Sequence, residues 1–133
     1  MPVIGEHTMI DHVSVPVSDL ERSADFWERV LAPLGLSRLV VRERTVGFGK
    51  RYPEFWINLR EDLAPAPADT GAHVCLRAPD RAAVDAFHAA ALTGGGRSDG
   101  APGLRQASMT TYYGAFIRDA DGNKVEAVTF PGD

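Results

Sequence analysis

The sequence predicts an α+β fold built from two βαβββ modules, and three observations lead there. The stretch Asp11-His12-Val13-Ser14-Val15-Pro16-Val17-Ser18-Asp19 is echoed by Ala72-His73-Val74-Cys75-Leu76-Arg77-Ala78-Pro79-Asp80. The pairs His12/His73, Asp19/Asp80, Phe26/Phe87 and Gly35/Gly96 are each separated by 61 residues. In each copy the apolar spacing passes from strand-like alternation to a helical repeat and back to short alternating runs. Gly, Pro, Asn and Asp fall between these runs as turn signals. A chain of 133 residues with 44% apolar and 24% charged residues suits one globular domain. That domain is expected over residues 9–130, as repeats 9–62 and 72–130 joined by a Pro/Ala-rich linker at 63–71. Residues 1–8 form an N-terminal extension with no counterpart in the second repeat.

From Ile10 to Val17 the side chains alternate, so Ile10, His12 and Ser14 share one face of a half-buried strand. Ser18-Asp19-Leu20-Glu21 has the Ser-x-x-Glu form of a capping box. A helix follows with Leu20, Ala24, Trp27 and Leu31 as its buried stripe, ended by Pro33 and Gly35. Three short strands are expected at Ser37 to Arg42, Thr45 to Gly49 and Glu54 to Leu59. The last has Phe55, Ile57 and Leu59 on one side and Glu54, Trp56 and Asn58 on the other.

The second repeat opens with a strand from Ala72 to Ala78 that places His73, Cys75 and Arg77 on one face. Pro79-Asp80 starts its helix, because Pro lacks only a donor that the first turn leaves free and Asp can cap the positive end. Val84, Phe87, Ala91 and Leu92 are its expected buried stripe, with His88 half-covering the sheet. Gly94-Gly95-Gly96 reads as a C-cap and turn; a phosphate cradle would follow a strand and open a helix. Ser98 to Gly103 reads as a loop before a weak strand at Leu104 to Ala107. Two firmer strands, Thr111 to Arg118 and Asn123 to Phe130, are joined by Asp119-Ala120-Asp121-Gly122, a hairpin signal. One module is too small to bury its own face well; two together can.

The net charge of −4 and the lack of a Lys/Arg cluster argue against a nucleic-acid partner. The single Cys75 excludes an intramolecular disulfide framework and suits a reducing compartment. No apolar run approaches the roughly 20 residues of a membrane helix, and the N-terminus lacks a signal-peptide pattern. A cytoplasmic protein with a small-molecule partner and no membrane association is expected.

If equivalent strands of the two repeats lie side by side, His12 and His73 come together from the first strand of each module and Glu126 joins them from the last. Two imidazoles and a carboxylate would leave open positions on a divalent first-row ion, as a working metal site requires. Each residue alone reads as an ordinary polar side chain. The histidines stand out because they occupy equivalent points of the repeat, and Glu126 because it interrupts an otherwise apolar strand on the matching face.

With Ile10-Asp11-His12-Val13, Ser18-Asp19-Leu20-Glu21, Phe26-Trp27, Ala72-His73-Val74 and Asp119-Ala120-Asp121-Gly122-Asn123-Lys124-Val125-Glu126, the chain resembles the vicinal oxygen chelate superfamily over about Met9 to Phe130. This is the glyoxalase, bleomycin-resistance and ring-cleaving dioxygenase group. The resemblance implies paired βαβββ modules forming a curved mixed sheet around a cleft, helices on the outer face and a homodimer. It also implies metal ligands on the first and last strands of each module, which map onto His12, His73 and Glu126. The metal would be a divalent Mn, Fe, Ni, Zn or Co ion, and metal-free members also occur. Four-ligand members carry Glu or Gln where the repeat alignment puts Asn58, a departure that disfavours glyoxalase I activity and leaves a three-ligand site. Ala120 replaces the usual Pro of the turn.

Alternation lists Trp56, Asn58, Tyr112, Phe116 and Arg118 as cleft-lining, substrate-binding candidates, with Arg77 beside them and Tyr113 on the other side. Aromatic walls suit an organic molecule with a ring, and Arg118 an anionic group. The leading expectation is a metal-dependent lyase, isomerase or transferase whose ion binds vicinal oxygens and stabilises a developing enolate or oxyanion. The residues name no catalytic base: Glu126 is assigned to the metal, and Glu54 is the only other carboxylate placed on that face. The alternatives are a metal-free protein that sequesters an aromatic drug or metabolite, and an iron-dependent ring-cleaving dioxygenase. The latter commonly uses a longer, duplicated chain.

Overall fold

The computed structural model describes residues 9–107 and 109–130. The first module runs β1 (Val13–Val17), α1 (Leu20–Leu31), a single 3-10 turn (Ala32–Leu34), β2 (Ser37–Val41), β3 (Thr45–Gly49) and β4 (Pro53–Leu59). The second runs β5 (Val74–Arg77), α2 (Arg81–Thr93), β6 (Arg97–Gln106), β7 (Thr111–Arg118) and β8 (Lys124–Thr129). The result is an α+β fold of two four-stranded mixed sheets, ordered β1-β4-β3-β2 and β5-β8-β7-β6. In each sheet the first strand pairs in parallel with the last, and the other pairings are antiparallel. β1 and β5 therefore occupy corresponding edges of their sheets. The segment from Leu63 to Ala72 that joins the modules carries no helix or strand.

The helices begin where side chains satisfy free N–H groups. Asp80 Oδ1 accepts the Ala83 N–H at 2.8 Å and Asp19 Oδ1 accepts that of Arg22 at 3.1 Å. The expected Ser18 capping box is thus replaced by an Asp19 cap. Ser18 is engaged elsewhere, its hydroxyl donating to Asp121 Oδ1 at 2.6 Å and its N–H to Asp121 Oδ2 at 3.1 Å. Gly35 ends the 3-10 turn at φ +86°, the left-handed conformation that glycine adopts without a Cβ clash. Gly94 caps α2, its N–H bonded to the Ala90 carbonyl.

Several details differ from the sequence expectation. β1 begins at Val13 and β5 at Val74, so His12 and His73 each stand just ahead of their strand. Leu92 is exposed, because one residue past buried Ala91 the helix has turned by about 100°. β6 starts at Arg97, taking in the stretch read as a loop. Its ladder with β7 shifts register between Ser98 and Gly100 and again between Gly100 and Gly103. Two glycines there absorb bulges that a regular strand would exclude.

α1 packs on the first sheet, α2 on the second, and the helices touch each other. Buried Trp27 lies between them and the sheets, edge-on to Phe26 at 5.1 Å and tilted against Phe55 at 4.9 Å. Val84, Phe87, Ile117 and Val125 complete one core shared by both modules. The β7–β8 turn clasps them together. Asp119 Oδ1 accepts the N–H groups of Asp121 and Asn123 at 3.0 and 2.8 Å, while its Oδ2 accepts Asn123 Nδ2 at 2.9 Å and Trp27 Nε1 at 3.3 Å. Asn123 Nδ2 also donates to the Pro16 carbonyl at 2.8 Å. Among the described residues, no helix is long and apolar enough to cross a membrane.

Candidate functional site

The sheet faces turned away from the helices carry the candidate residues. On the second module, the parallel register sets Cys75 opposite Glu126, and the antiparallel register sets Phe116 opposite Glu126 on its other side. Flanked by both strands, Glu126 is only 5% exposed. Its Oε1 lies 3.3 Å from His73 Nε2, and its buried Oε2 has no hydrogen-bond partner among the described residues. The His73 ring stands edge-on to Phe116 at 5.8 Å.

This buried carboxylate sets the local electrostatics. Partial burial and then the charge of Glu126 push the Cys75 thiol up to about 12. Burial and then Glu126 likewise raise the Tyr112 phenol above its ordinary value. Both neighbours stay neutral near pH 7, and neither type of group can supply a positive charge to the carboxylate. A buried carboxylate oxygen without a donor is costly. An imidazole nitrogen and an unpaired carboxylate oxygen side by side fit the coordination chemistry of a divalent first-row cation.

His12 is placed apart from this pair. Its side chain is about half exposed, with Nδ1 2.8 Å from Oδ1 of neighbouring Asp11. Among the described residues, no three His, Cys, Asp or Glu side chains are grouped as a metal site would need. The physical reason lies in the topology. β1 and β5 belong to separate sheets, so the side-by-side arrangement on which the three-residue grouping depended does not occur within the chain.

On the first module, Trp56 and Asn58 are half-buried on the matching face of β4. Gly47 sits opposite Trp56 on β3, and a Cβ there would lie 2.9 Å from the indole. The glycine thus lets the indole rest against the strand. The Asn58 carboxamide is held by Thr45, whose Oγ1 lies 2.6 Å from Oδ1 and 2.9 Å from the Ile57 carbonyl oxygen. One hydroxyl proton serves one acceptor, so a half-turn of the carboxamide, with Nδ2 donating to Thr45 and Thr45 to Ile57, satisfies both contacts and turns Oδ1 to the open face. The Arg42 guanidinium lies 5.6 Å from the centre of the Trp56 ring.

Of the other candidates, Tyr112 and Phe116 are half-buried on the Glu126 face, and Tyr112 lies 5.9 Å from Phe130. Arg118 is buried and internally engaged: Nε donates to Asp99 Oδ2 at 3.1 Å and Nη1 to the Gly122 carbonyl at 3.0 Å. It braces the hairpin to β6, with Nε and Nη1 both engaged. Its partner Asp99 lies in the stretch read as a loop, which hid the pairing. Arg77 lies over Phe130 at 4.9 Å. Tyr113 faces α2, donating to Asp85 at 2.6 Å beneath Arg81. Glu54 accepts the Lys50 N–H at 3.4 Å near the β3–β4 turn. Sequence reasoning missed Arg42 and Thr45; alternation through β3 would have placed Thr45 on the Trp56 face, whereas Arg42 reaches that face through the register shift between Arg38 and Val40.

The sequence profile of the Glyoxalase/Bleomycin resistance protein/Dioxygenase superfamily matches residues 9–127. Among solved structures, a glyoxalase/bleomycin resistance protein from Albidiferax ferrireducens T118 is 34% identical, with a TM-score of 0.79 over 91% of this chain and 98% of that one. A glyoxalase/bleomycin resistance protein/dioxygenase from Alicyclobacillus acidocaldarius shares the fold at 15% identity, TM-score 0.69, covering 98% and 97% of the two chains. A glyoxalase/bleomycin resistance protein/dioxygenase family enzyme from Burkholderia phytofirmans PsJN does so at 14% identity, TM-score 0.68, covering 91% and 98%. No curated protein matches.

Proposed function

Because the chain belongs to the Glyoxalase/Bleomycin resistance protein/Dioxygenase superfamily, we propose that it is a metal-dependent enzyme of the lyase, isomerase or transferase type, acting on a small substrate through vicinal oxygens. His73 and Glu126 of one chain and His12 of a second copy would hold a divalent Mn, Fe, Ni, Zn or Co ion. The observation that carries this reading is the buried Glu126 Oε2, left without a donor beside the His73 imidazole. A homodimer accounts for the separation of His12 from that pair, since a second copy can present its first module to this module's open face.

The bound ion would supply Lewis-acid polarisation of two substrate oxygens. The chain's own residues do the rest. Trp56 and Phe116 supply flat apolar area that excludes water and positions a ring. Asn58, pinned by Thr45, offers a preset polar group, so little side-chain entropy is lost on binding. The neutral Tyr112 phenol beside Glu126 can donate a hydrogen bond to the substrate without giving up its proton at pH 7.

Calorimetric titration with Mn²⁺, paired with sedimentation analysis, tests the reading. Near-stoichiometric binding by a dimer, lost in His73→Ala and Glu126→Gln and weakened in His12→Ala, is the expected result. Unchanged binding in the first two variants would remove the ligand assignment. Trp56 resting on Gly47 favours a second reading, a metal-free protein that sequesters an aromatic ligand. Absence of metal binding by the wild-type dimer would select it.

A further inference from the structure

We infer that the open face of the first module selects a planar anion, an aromatic or conjugated carboxylate, by stacking it against Trp56 and pairing it with Arg42. The inference rests on the reading of this face as the substrate cleft and is independent of the metal. Trp56 lies opposite Gly47, and a Cβ there would also come 2.8 Å from the Pro53 Cβ. The indole therefore lies along β3, where an upright ring would present only its edge. The exposed Arg42 guanidinium lies over the ring, 5.6 Å from its centre, so a flat ligand that takes its place on the indole meets the displaced guanidinium at the ring's rim.

Arg42 differs from Arg38, Arg44, Arg105, Arg118 and Lys124. Arg38 pairs with Glu28 at 2.6 Å and Asp25 at 3.2 Å, Arg44 with Glu61 at 3.2 Å and Arg118 with Asp99 at 3.1 Å. Lys124 lies over Phe116 but is paired with Asp99 at 3.0 Å. Arg105 also lies over Phe116, with its guanidinium donating to the carbonyls of Ala101, Gly103 and Gly114. Among the described residues Arg42 has the indole beside it and no carboxylate in ion-pairing range. An exposed arginine with no carboxylate partner can swing to the rim of the ring and turn its N–H fork towards a carboxylate. Ring and charge together thus specify a ligand that is planar and negatively charged. Thr45 and Asn58 close the same face on the next residues of β3 and β4.

The test compares 4-fluorobenzoate with 4-fluorobenzamide by ligand-observed fluorine NMR on the 133-residue chain, its Arg42→Gln variant and its Trp56→Leu variant. The carboxylate is expected to bind about tenfold tighter than the amide, as one charge-assisted pairing supplies. In Arg42→Gln the two should converge to within about twofold, and Trp56→Leu should weaken both. Equal binding of the two probes to the wild type, no binding of either, or a preference that survives Arg42→Gln would overturn the inference. Because Arg42 is exposed, its substitution leaves the fold intact even where the Trp56 variant is lost. Mn²⁺ titration of the same samples reads the metal proposal separately: a carboxylate preference without metal binding sinks that proposal alone, and metal binding without the preference sinks this one.

Discussion

Replacing Asp119 by Asn preserves the volume of the β7–β8 turn and removes the charge that joins it to the first module. The variant's Oδ1 can still accept the N–H groups of Asp121 and Asn123. The atom that replaces Oδ2 then faces two donors, Trp27 Nε1 and Asn123 Nδ2. Asn123 cannot turn away without losing its bond to the Pro16 carbonyl. Burial already offsets the favourable charge, so the loss comes from the two buried donors left facing an amide N–H group; at about 1–3 kcal/mol for each unsatisfied donor, a net loss of about 2–4 kcal/mol is expected. With a urea dependence of about 1–3 kcal/mol per molar, the unfolding midpoint at pH 7 should fall by about 1–2 M.

A second arm of the same assay uses pH. Burial is the largest influence on Asp119 and holds its carboxyl above the ordinary range, against the bonds from Asn123 and Asp121. The folded state therefore binds the Asp119 proton more tightly than the unfolded state. Its contribution is fully present below the unfolded value and is lost as pH rises through the folded one. The stability gap between wild type and variant should widen as the pH falls towards 4. A midpoint shift below about 0.3 M at pH 7, or a gap that narrows on acidification, would refute the reasoning.

Gly47→Ala drives a methyl group to within 2.9 Å of the Trp56 ring. Overpacking of this kind costs about 1–3 kcal/mol, and differential scanning calorimetry should show a Tm lower by roughly 3–10 °C, along with weaker aromatic-ligand binding. The Cys75 thiol, raised to about 12, should react with an aromatic disulfide reagent at pH 8 about thirtyfold more slowly than an ordinary cysteine. Its thiolate fraction is about a thousandfold lower, and the greater nucleophilicity of a more basic thiolate recovers part of the rate. Stopped-flow absorbance reads this directly, and a rate equal to that of free cysteine would contradict the placement of Cys75 against Glu126.

Local chemistry made the two modules legible. The equivalence of His12 with His73 and of Phe26 with Phe87 marked the repeat, and Asp121-Gly122 marked the last hairpin. The faces of β4, β5, β7 and β8 also followed from alternation, because each of these strands has one side against the shared core. What sequence could not show was which sheets come side by side. That choice depends on helix packing across the whole chain, and it decides whether His12 meets His73 and Glu126 within one molecule. β6 was obscured because Gly100, Pro102 and Gly103 are turn formers, and their place in a strand is enforced by pairing to β7. The same oversight concealed Asp99, so Arg118 read as a free cation when it is a brace.

Pro16 has a consequence for how the molecule meets other chains. In β1, Val17 turns its carbonyl inward to Arg60, so alternation turns the main-chain groups of Ser14 and Pro16 outward. Proline offers no N–H there, and its carbonyl is already taken by Asn123. An edge that would otherwise invite a foreign strand is reduced to little more than the peptide groups of Ser14. Such blunting guards a sheet against open-ended polymerisation. A neighbouring chain that settles against β1 must be recognised by its side chains, because the backbone there has almost no ladder left to extend.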